Sequence, residues 1–409
     1  VRKFLIFILA MVLVFALLVP VSARAVEFVF WTTESEAEGL LQTIEELCRE
    51  FEKENPGVRI ETLNYDVESL RENFQMAAFA GGGPDLLWTV NDHAGPFATM
   101  GIISSVEEMF GAGYTDKFVQ PGLEAVEMDG KTWGIPISVG NHLMLMYNKK
   151  LLPEPPKDTD EMIAIAKELT TGDQYGLVFN LNEPFWLAPW LGGFGGWPLD
   201  GNTPTLNTEA MVNALQFIHD LKFKHQIVPR EADAETADSL FKEGKAAMII
   251  TGDWALSSYI TPEVKRNVEL GVARIPMISE TGLWPSPMTS GKYFMIPNYL
   301  TGDRLEYCKK LVDYFVSPKL QNLFVKEHAR LPALIEAFDE PALAEDPILL
   351  GSADQMVVGK PMPTVPEMRA CWDAMFPNIE GVMSDRMTPQ EAAEAMQVAA
   401  ERAIREMDR

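Results

Sequence analysis

FVFWTTESEAEGLLQTIEELCREFEKENPGVRIETLNYDVESLRENFQMAAFAGGGPDLLWTVND, residues 28–92, carries the alternation that decides the fold. Phe28-Val29-Phe30-Trp31 is an apolar run of strand length. After a polar turn, apolar residues return at Leu40, Leu41, Ile44, Leu47, Cys48 and Phe51, the spacing of one helix face. Asn55-Pro56-Gly57 closes that helix, because proline cannot continue it and glycine turns the chain. Val58 to Leu63 then alternates as a strand, Leu70 to Ala80 reads as a helix, and Gly81-Gly82-Gly83-Pro84 breaks into a strand over Asp85 to Thr89. Strand, helix, strand, helix, strand with short connections predicts an α/β fold whose open, mainly parallel sheet has helices on both faces. Ligands of such sheets sit beyond the carboxyl ends of the strands. Here those ends are Trp31-Thr32-Thr33-Glu34 and Trp88-Thr89-Val90-Asn91-Asp92.

The alternation resumes downstream. Strand-like Thr132 to Val139 and His142 to Asn148 follow an Asp129-Gly130 turn. Helix-like Asp160–Leu169, strand-like Tyr175–Asn180, helix-like Glu209–Lys224, strand-like Ala246–Thr251 and helix-like Asp253–Ile260 come next. The last third is mostly helical, and its final helix opens with Thr388-Pro389-Gln390-Glu391, a capping box with proline at the first helical position. A chain of 409 residues is too long for a single core, so two lobes are expected, with no flexible linker between them.

Arg2 and Lys3, an apolar run from Phe4 to Val19 and then Ala23-Arg24-Ala25 have the order of a cleavable secretory signal, residues 1–25. No cysteine follows that run, so no lipid anchor is expected, and the location expected is periplasmic or extracytoplasmic. The net charge of -25 argues against nucleic acid and against anionic membrane as partners. Cys48, Cys308 and Cys371 are an odd set at wide spacing with no CxxC: an oxidising compartment permits one disulfide, nothing in a chain this long requires it, and three buried thiols are the reading slightly favoured.

No GxSxG, GxxxxGK[ST], HExxH or GxGxxG motif is present, and the five histidines show no metal-ligand spacing. No catalytic residue, metal or cofactor is therefore expected. The setting of the tryptophans is more informative. A sugar has apolar C–H faces and a rim of hydroxyls, so it needs flat aromatic platforms together with carboxylates and amides. Glu183-Pro184-Phe185-Trp186, with Trp190 and Trp197 nearby, has that composition, and so does Asn91-Asp92-His93 after a strand. Asp92 and Glu183 could also pair as acid and nucleophile of a glycosidase, which leaves a secreted glycoside hydrolase as an alternative.

Several ordered stretches carry a resemblance across nearly the whole chain: FVFW with the helix ending in EFEKENPGV, GGGPDLLW with the Asn-Asp pair, GKTWGIPISV, LMYNKKLLPEPP, LVFNLNEPFW, FKEGKAAMIITGDWALSSY and PMPTVPEMRACWDAMFPNIEGVM. In these the chain resembles the extracellular solute-binding proteins of ABC importers, most closely the maltose and maltodextrin-binding proteins. The resemblance implies a two-lobed fold, each lobe a sheet flanked by helices, with a hinge and a ligand cleft between them. The first lobe is placed at 26–138 plus about 287–330, the second at 139–286 plus about 331–409.

It also implies site residues. Glu183 falls at a sugar-binding carboxylate and Phe185 at an aromatic platform, with Trp186 beside it. Trp254 and Trp372 fall at stacking aromatics, and Asp92 at a hydroxyl-binding aspartate next to Asn91. His93 stands where arginine is common, Asn141 near an acidic ligand position, and Trp88 or Thr89 in the place of a first-lobe tryptophan. Glu34 represents the early loop, which lacks the Asn, Asp and Lys of maltose-type members. The partners implied are a neutral oligosaccharide, maltose- or trehalose-like, and the permease subunits of an importer, with the receptor a monomer that catalyses nothing. A receptor for a sugar phosphate or another anionic solute is the other alternative.

Overall fold

A computed structural model describes residues 25–35, 39–231, 233–339, 343 and 345–407. The expected export signal lies outside the described residues, apart from Ala25. The first lobe opens with β1 (Val26–Thr32), α1 (Leu40–Glu54), β2 (Val58–Asn64), α2 (Val67–Phe79) and β3 (Leu86–Val90). The six apolar positions expected on one face of α1 are its buried residues. Helix α2 begins three residues earlier than its apolar pattern suggests, because the Asp66 side chain accepts the Ser69 backbone N–H and caps it.

The chain then runs through β4 (Ile135–Gly140) into β5 (Leu143–Asn148), where the second lobe begins. That lobe continues with α3 (Thr159–Leu169), β6 (Tyr175–Phe179), α4 (Pro184–Gly193), α5 (Glu209–Phe223), β7 (Ala246–Gly252) and β8 (Leu270–Ala273). β9 (Met288–Met295), α6 (Gly302–Phe315), α7 (Pro318–His328) and β10 (Leu331–Pro332) return to the first lobe. α8 (Pro347–Met356), β11 (Lys360–Pro361), α9 (Glu367–Met383) and α10 (Pro389–Met407) follow.

The strand order is β10-β4-β9-β3-β1-β2 in the first sheet, with β11 beside β9, and β8-β5-β7-β6 in the second. β2, β1 and β3 are mutually parallel, as the opening stretch predicts. Fewer of the remaining pairs are parallel than expected. β9 runs antiparallel to both β3 and β4, and β5 runs antiparallel to both of its neighbours. These strands lie where the chain arrives from, or leaves for, the other lobe, so their direction is set by the crossing and not by a βαβ unit. The last return leaves the first sheet slightly later than residue 330, since Leu331–Pro332 still pairs with β4 and Ala337 is still packed in the first-lobe core.

Each lobe has its own apolar core, one around Phe28, Phe30, Trp88, Phe294 and Phe315, the other around Phe179, Trp190, Leu215, Ile250 and Ile379. The capping box at Thr388 forms in both directions, with bonds of 2.9 and 3.2 Å. All three cysteines are buried free thiols. Among the described residues no helix is long and apolar enough to cross a membrane, and no group of side chains is arranged to hold a metal ion.

Candidate functional site

A cleft of about 670 Å³ lies between the lobes and takes its lining from both. The volume is that of a small-molecule site. Its first-lobe wall is made at the ends of strands. Thr33 follows β1, Asp66, Val67 and Glu68 follow β2, Val90 ends β3 and Asp92 lies in the 3-10 turn after it. Its second-lobe wall is largely aromatic, with Phe185 and Trp186 from the start of α4, Trp254 after β7, and Trp372 and Phe376 from α9.

The aromatic wall is built by packing. The Trp186 indole N–H donates to the Ile250 carbonyl at 2.9 Å, which ties α4 to β7. Trp254 meets both Phe185 and Trp186 with ring centroids 6.0 Å apart. It lies back over its own strand, and only glycine permits this: a Cβ on Gly252 would strike the Trp254 ring. Trp372 extends the wall from α9, where Arg369, Trp372, Asp373 and Phe376 share one helix face at i, i+3, i+4 and i+7.

The polar side is dominated by acids. Asp92 is half-buried, and its enclosed Oδ1 has no partner among the described residues. Burial, with the charge of Glu68 adding to it, pushes its carboxyl up to about 6. Glu183 precedes α4 without capping it, accepts a long bond of 3.4 Å from Asn180 Nδ2, and is also raised, by burial and then by Glu68. The two cations of the lining are already engaged. Arg369 pairs with Glu68 and Asp373, and Lys292 Nζ lies 3.3 Å from Thr33 Oγ1 and 3.7 Å from Glu34 Oε1. Asp92 and Glu183 thus face the cleft as acceptors, and neither is in an ion pair among the described residues, although Arg369 and Arg71 lie near enough to Asp92 to offset part of the rise.

At the chain crossing, Asn141 reaches the cleft with a left-handed φ of 45°. Its backbone N–H donates to Asp253 Oδ2 at 3.0 Å and its Nδ2 to Ser290 Oγ at 3.3 Å. Gly140 before it has φ 127°, where a Cβ would strike Asp253 Oδ2.

Of the residues expected at the site, Asp92, Asn141, Glu183, Phe185, Trp186, Trp254 and Trp372 line the cleft. Four others do not, and each has a physical reason. Glu34 is buried beneath the first-lobe wall, with Arg330 Nη2 at 3.0 Å from Oε2 and the Trp88 indole N–H donating to Oε1 at 3.0 Å. It is the shared partner of buried Arg330 and Lys292 and not part of a rim. Asn91 is buried and spends its Nδ2 on the carbonyls of Ala125 and Met362, at 3.0 and 3.2 Å. Thr89 and His93 are buried and bonded to each other, Oγ1 to Nδ1 at 2.8 Å. Burial, helped by nearby Arg71, Arg369 and Lys292, pushes the imidazole down to about 3, so it is neutral.

Neither Trp88 nor Thr89 lines the cleft. Trp88 points into the core against Phe294, Phe315 and Phe324, so neither residue forms a platform in the cleft. Trp190 is a core residue packed on Phe179 and Phe217, and Trp197 lies under the Lys360 ammonium away from the cleft.

The first-lobe residues Asp66 and Glu68, together with Lys292, Arg369 and Asp373, were absent from the expected set. Asp66 and Glu68 follow the end of β2, and Asp66-x-x-Ser69 is a recognisable helix cap. Lys292 stands alone in the otherwise uncharged strand MTSGKYFM, and Arg369 stands one helical turn before Trp372.

Similar proteins share this architecture. The fold is similar to the maltose/maltodextrin-binding domain MalE from Bdellovibrio bacteriovorus bound to maltotriose, with 40% identity and a TM-score of 0.89, covering 93% of this chain and 100% of that one. A maltotriose-binding protein of Pyrococcus abyssi is 27% identical over 355 residues, spanning 84% of this chain and 75% of that protein. A galactooligosaccharide-binding protein of Bacillus subtilis is 24% identical over 387 residues, spanning 91% and 88%. Residues 46–351 match the bacterial extracellular solute-binding protein family, and those residues run through both walls of the cleft. The chain belongs to that family.

Proposed function

We propose that this chain is the receptor of an ABC-type sugar importer, working outside the cytoplasmic membrane and capturing a neutral oligosaccharide of the maltose series by closing its lobes. One observation carries this reading: the cleft between the lobes has an aromatic wall on the second lobe with Glu183 beside it, and Asp92, whose enclosed Oδ1 has no partner among the described residues, faces that wall from the first lobe. Sugar rings stack on the aromatic wall while their hydroxyls donate to the carboxylates. Only the closed arrangement makes both sets of contacts, so sugar biases the hinge toward closure and the permease reads occupancy as shape.

The charge balance supports a neutral ligand over a sugar phosphate. Asp66, Glu68, Asp92, Glu183 and Asp373 outnumber Lys292 and Arg369, and both cations are already paired. An added anion meets net repulsion there. Maltotriose is the first ligand to test, because two similar proteins are a maltotriose-binding protein and a domain bound to maltotriose. Maltose, trehalose and a galactooligosaccharide complete the series. Isothermal titration should give micromolar binding or tighter for one maltose-series sugar, and chromatography should return that sugar intact. Steady release of reducing ends would instead favour a glycoside hydrolase.

A further inference from the structure

Arg369 joins the two walls of the cleft. On its own helix its guanidinium holds Asp373 in two bonds, Nε to Oδ2 at 3.1 Å and Nη2 to Oδ1 at 2.5 Å. Nη1 extends the other way, to Glu68 Oε2 at 2.5 Å on the first turn of α2. Arg369 belongs to the helix that carries Trp372, and Glu68 to the first lobe. The bidentate bond to Asp373 fixes the plane of the guanidinium, so its remaining edge is aimed before the lobes meet. Arg71 holds the same Glu68 oxygen from Nε at 3.1 Å, which orients the acceptor.

We propose that Arg369 is a positioning residue for lobe closure: its pair with Glu68 forms as the cleft shuts and docks the Trp372 face of α9 against the first lobe, independently of any sugar contact. The inference rests on the hinge-closing receptor proposed above. Opening the hinge separates α9 from α2 and breaks the pair, whereas the Arg369–Asp373 bond stays within one helix and survives. The pair therefore favours the closed state whether or not ligand is present, and ligand affinity scales with the fraction of protein already able to close. Both groups are partly exposed, so the bias is modest and weakens with salt.

The test is single-molecule energy transfer between dyes on the two lobes of the ligand-free protein, comparing wild type with Arg369→Met, Glu68→Gln and the double variant. The closed fraction should fall by about two- to five-fold in each single variant, no further in the double, and the difference should vanish in 1 M salt. The dissociation constant for maltotriose should rise by the same factor. An unchanged closed fraction in both single variants overturns the proposal. So do effects on affinity that add in the double variant, because additivity means that each residue touches the sugar separately. If Arg369→Met fails to fold, Glu68→Gln, on the exposed first turn of α2, decides alone. Failure of wild type to bind any sugar would sink the receptor reading and leave the ligand-free comparison standing.

Discussion

The two walls of the cleft are made of different chemistry by different means. The first-lobe wall comes from the ends of three strands in one sheet and offers carboxylates, Asp66, Glu68 and Asp92, over a buried Lys292. The second-lobe wall comes from the starts of α4 and α9 and the turn after β7, and offers Phe185, Trp186, Trp254 and Trp372. Aromatic rings supply contact area that varies little with pH or salt, whereas enclosed carboxylates supply direction and respond to both. Under the proposed function the aromatic lobe supplies most of the contact area, while direction comes from Asp92 on the first lobe and Glu183 on the second.

Removing rings should do the most damage. Trp254→Ala and Trp372→Ala should each weaken sugar binding by about 2 kcal/mol or more, the loss seen when a central aromatic anchor is truncated, measured by isothermal titration. If both variants bind like wild type, the aromatic wall is not the platform. Asp92→Asn comes next, and it should separate stability from function. The fold raises this carboxyl from 3.8 to about 6, so the stability it contributes is full below the lower value and is lost as pH rises through the higher. At pH 7.5 the neutral amide should therefore melt higher, by up to about 3 kcal/mol of stability, while sugar affinity falls by about 1.5–3 kcal/mol.

The same group sets a pH profile. Sugar hydroxyls favour the ionised form, so wild-type affinity should be flat above pH about 6 and fall by at most about tenfold per unit below it, with Asp92→Asn flattening that limb. A wild-type affinity that rises on acidification would reverse the roles assigned to the walls. The smallest effect is expected for Phe185→Tyr, which keeps the ring and adds a hydroxyl at the cleft. Its affinity should change by less than about 1 kcal/mol in either direction.

The opening stretch read correctly because its apolar spacings are local: α1 buries the positions its periodicity marks, and β1, β2 and β3 pair in parallel. Asp92 and Glu183 stand out by residue type after a strand, whereas Trp254 and Trp372 are reached only through the family resemblance, and all four line the cleft. The site was not legible where a partner comes from far along the chain. Nothing in Thr33-Glu34-Ser35 announces that Arg330 will bury Glu34, nor does Asn91 show that Met362 will claim its amide. Thr89 and His93 differ, since they sit four residues apart and bond to each other. Their pairing is local, but side-chain direction at the end of a strand decides whether they face the cleft, and that depends on the register with β9. Asp66 and Glu68 were hidden for a simpler reason: the apolar pattern of α2 starts at Leu70, after the cap and first turn have passed.

The interleaved chain path has a consequence for biogenesis. β3 ends at Val90, yet the strand beside it in the sheet, β9, begins at Met288. A chain emerging from its N-terminus therefore carries β3, Leu86–Val90, as an unpaired apolar edge until the whole of the second sheet, β5 to β8, has been made. Such edges are templates for wrong association, and pairing across so long a separation is slow. The second sheet, contiguous from Leu143 to Ala273, can assemble first and hold the returning strands near their place. Truncation before Met288 should thus leave a first lobe that aggregates, while the strands of the second already have all their neighbours.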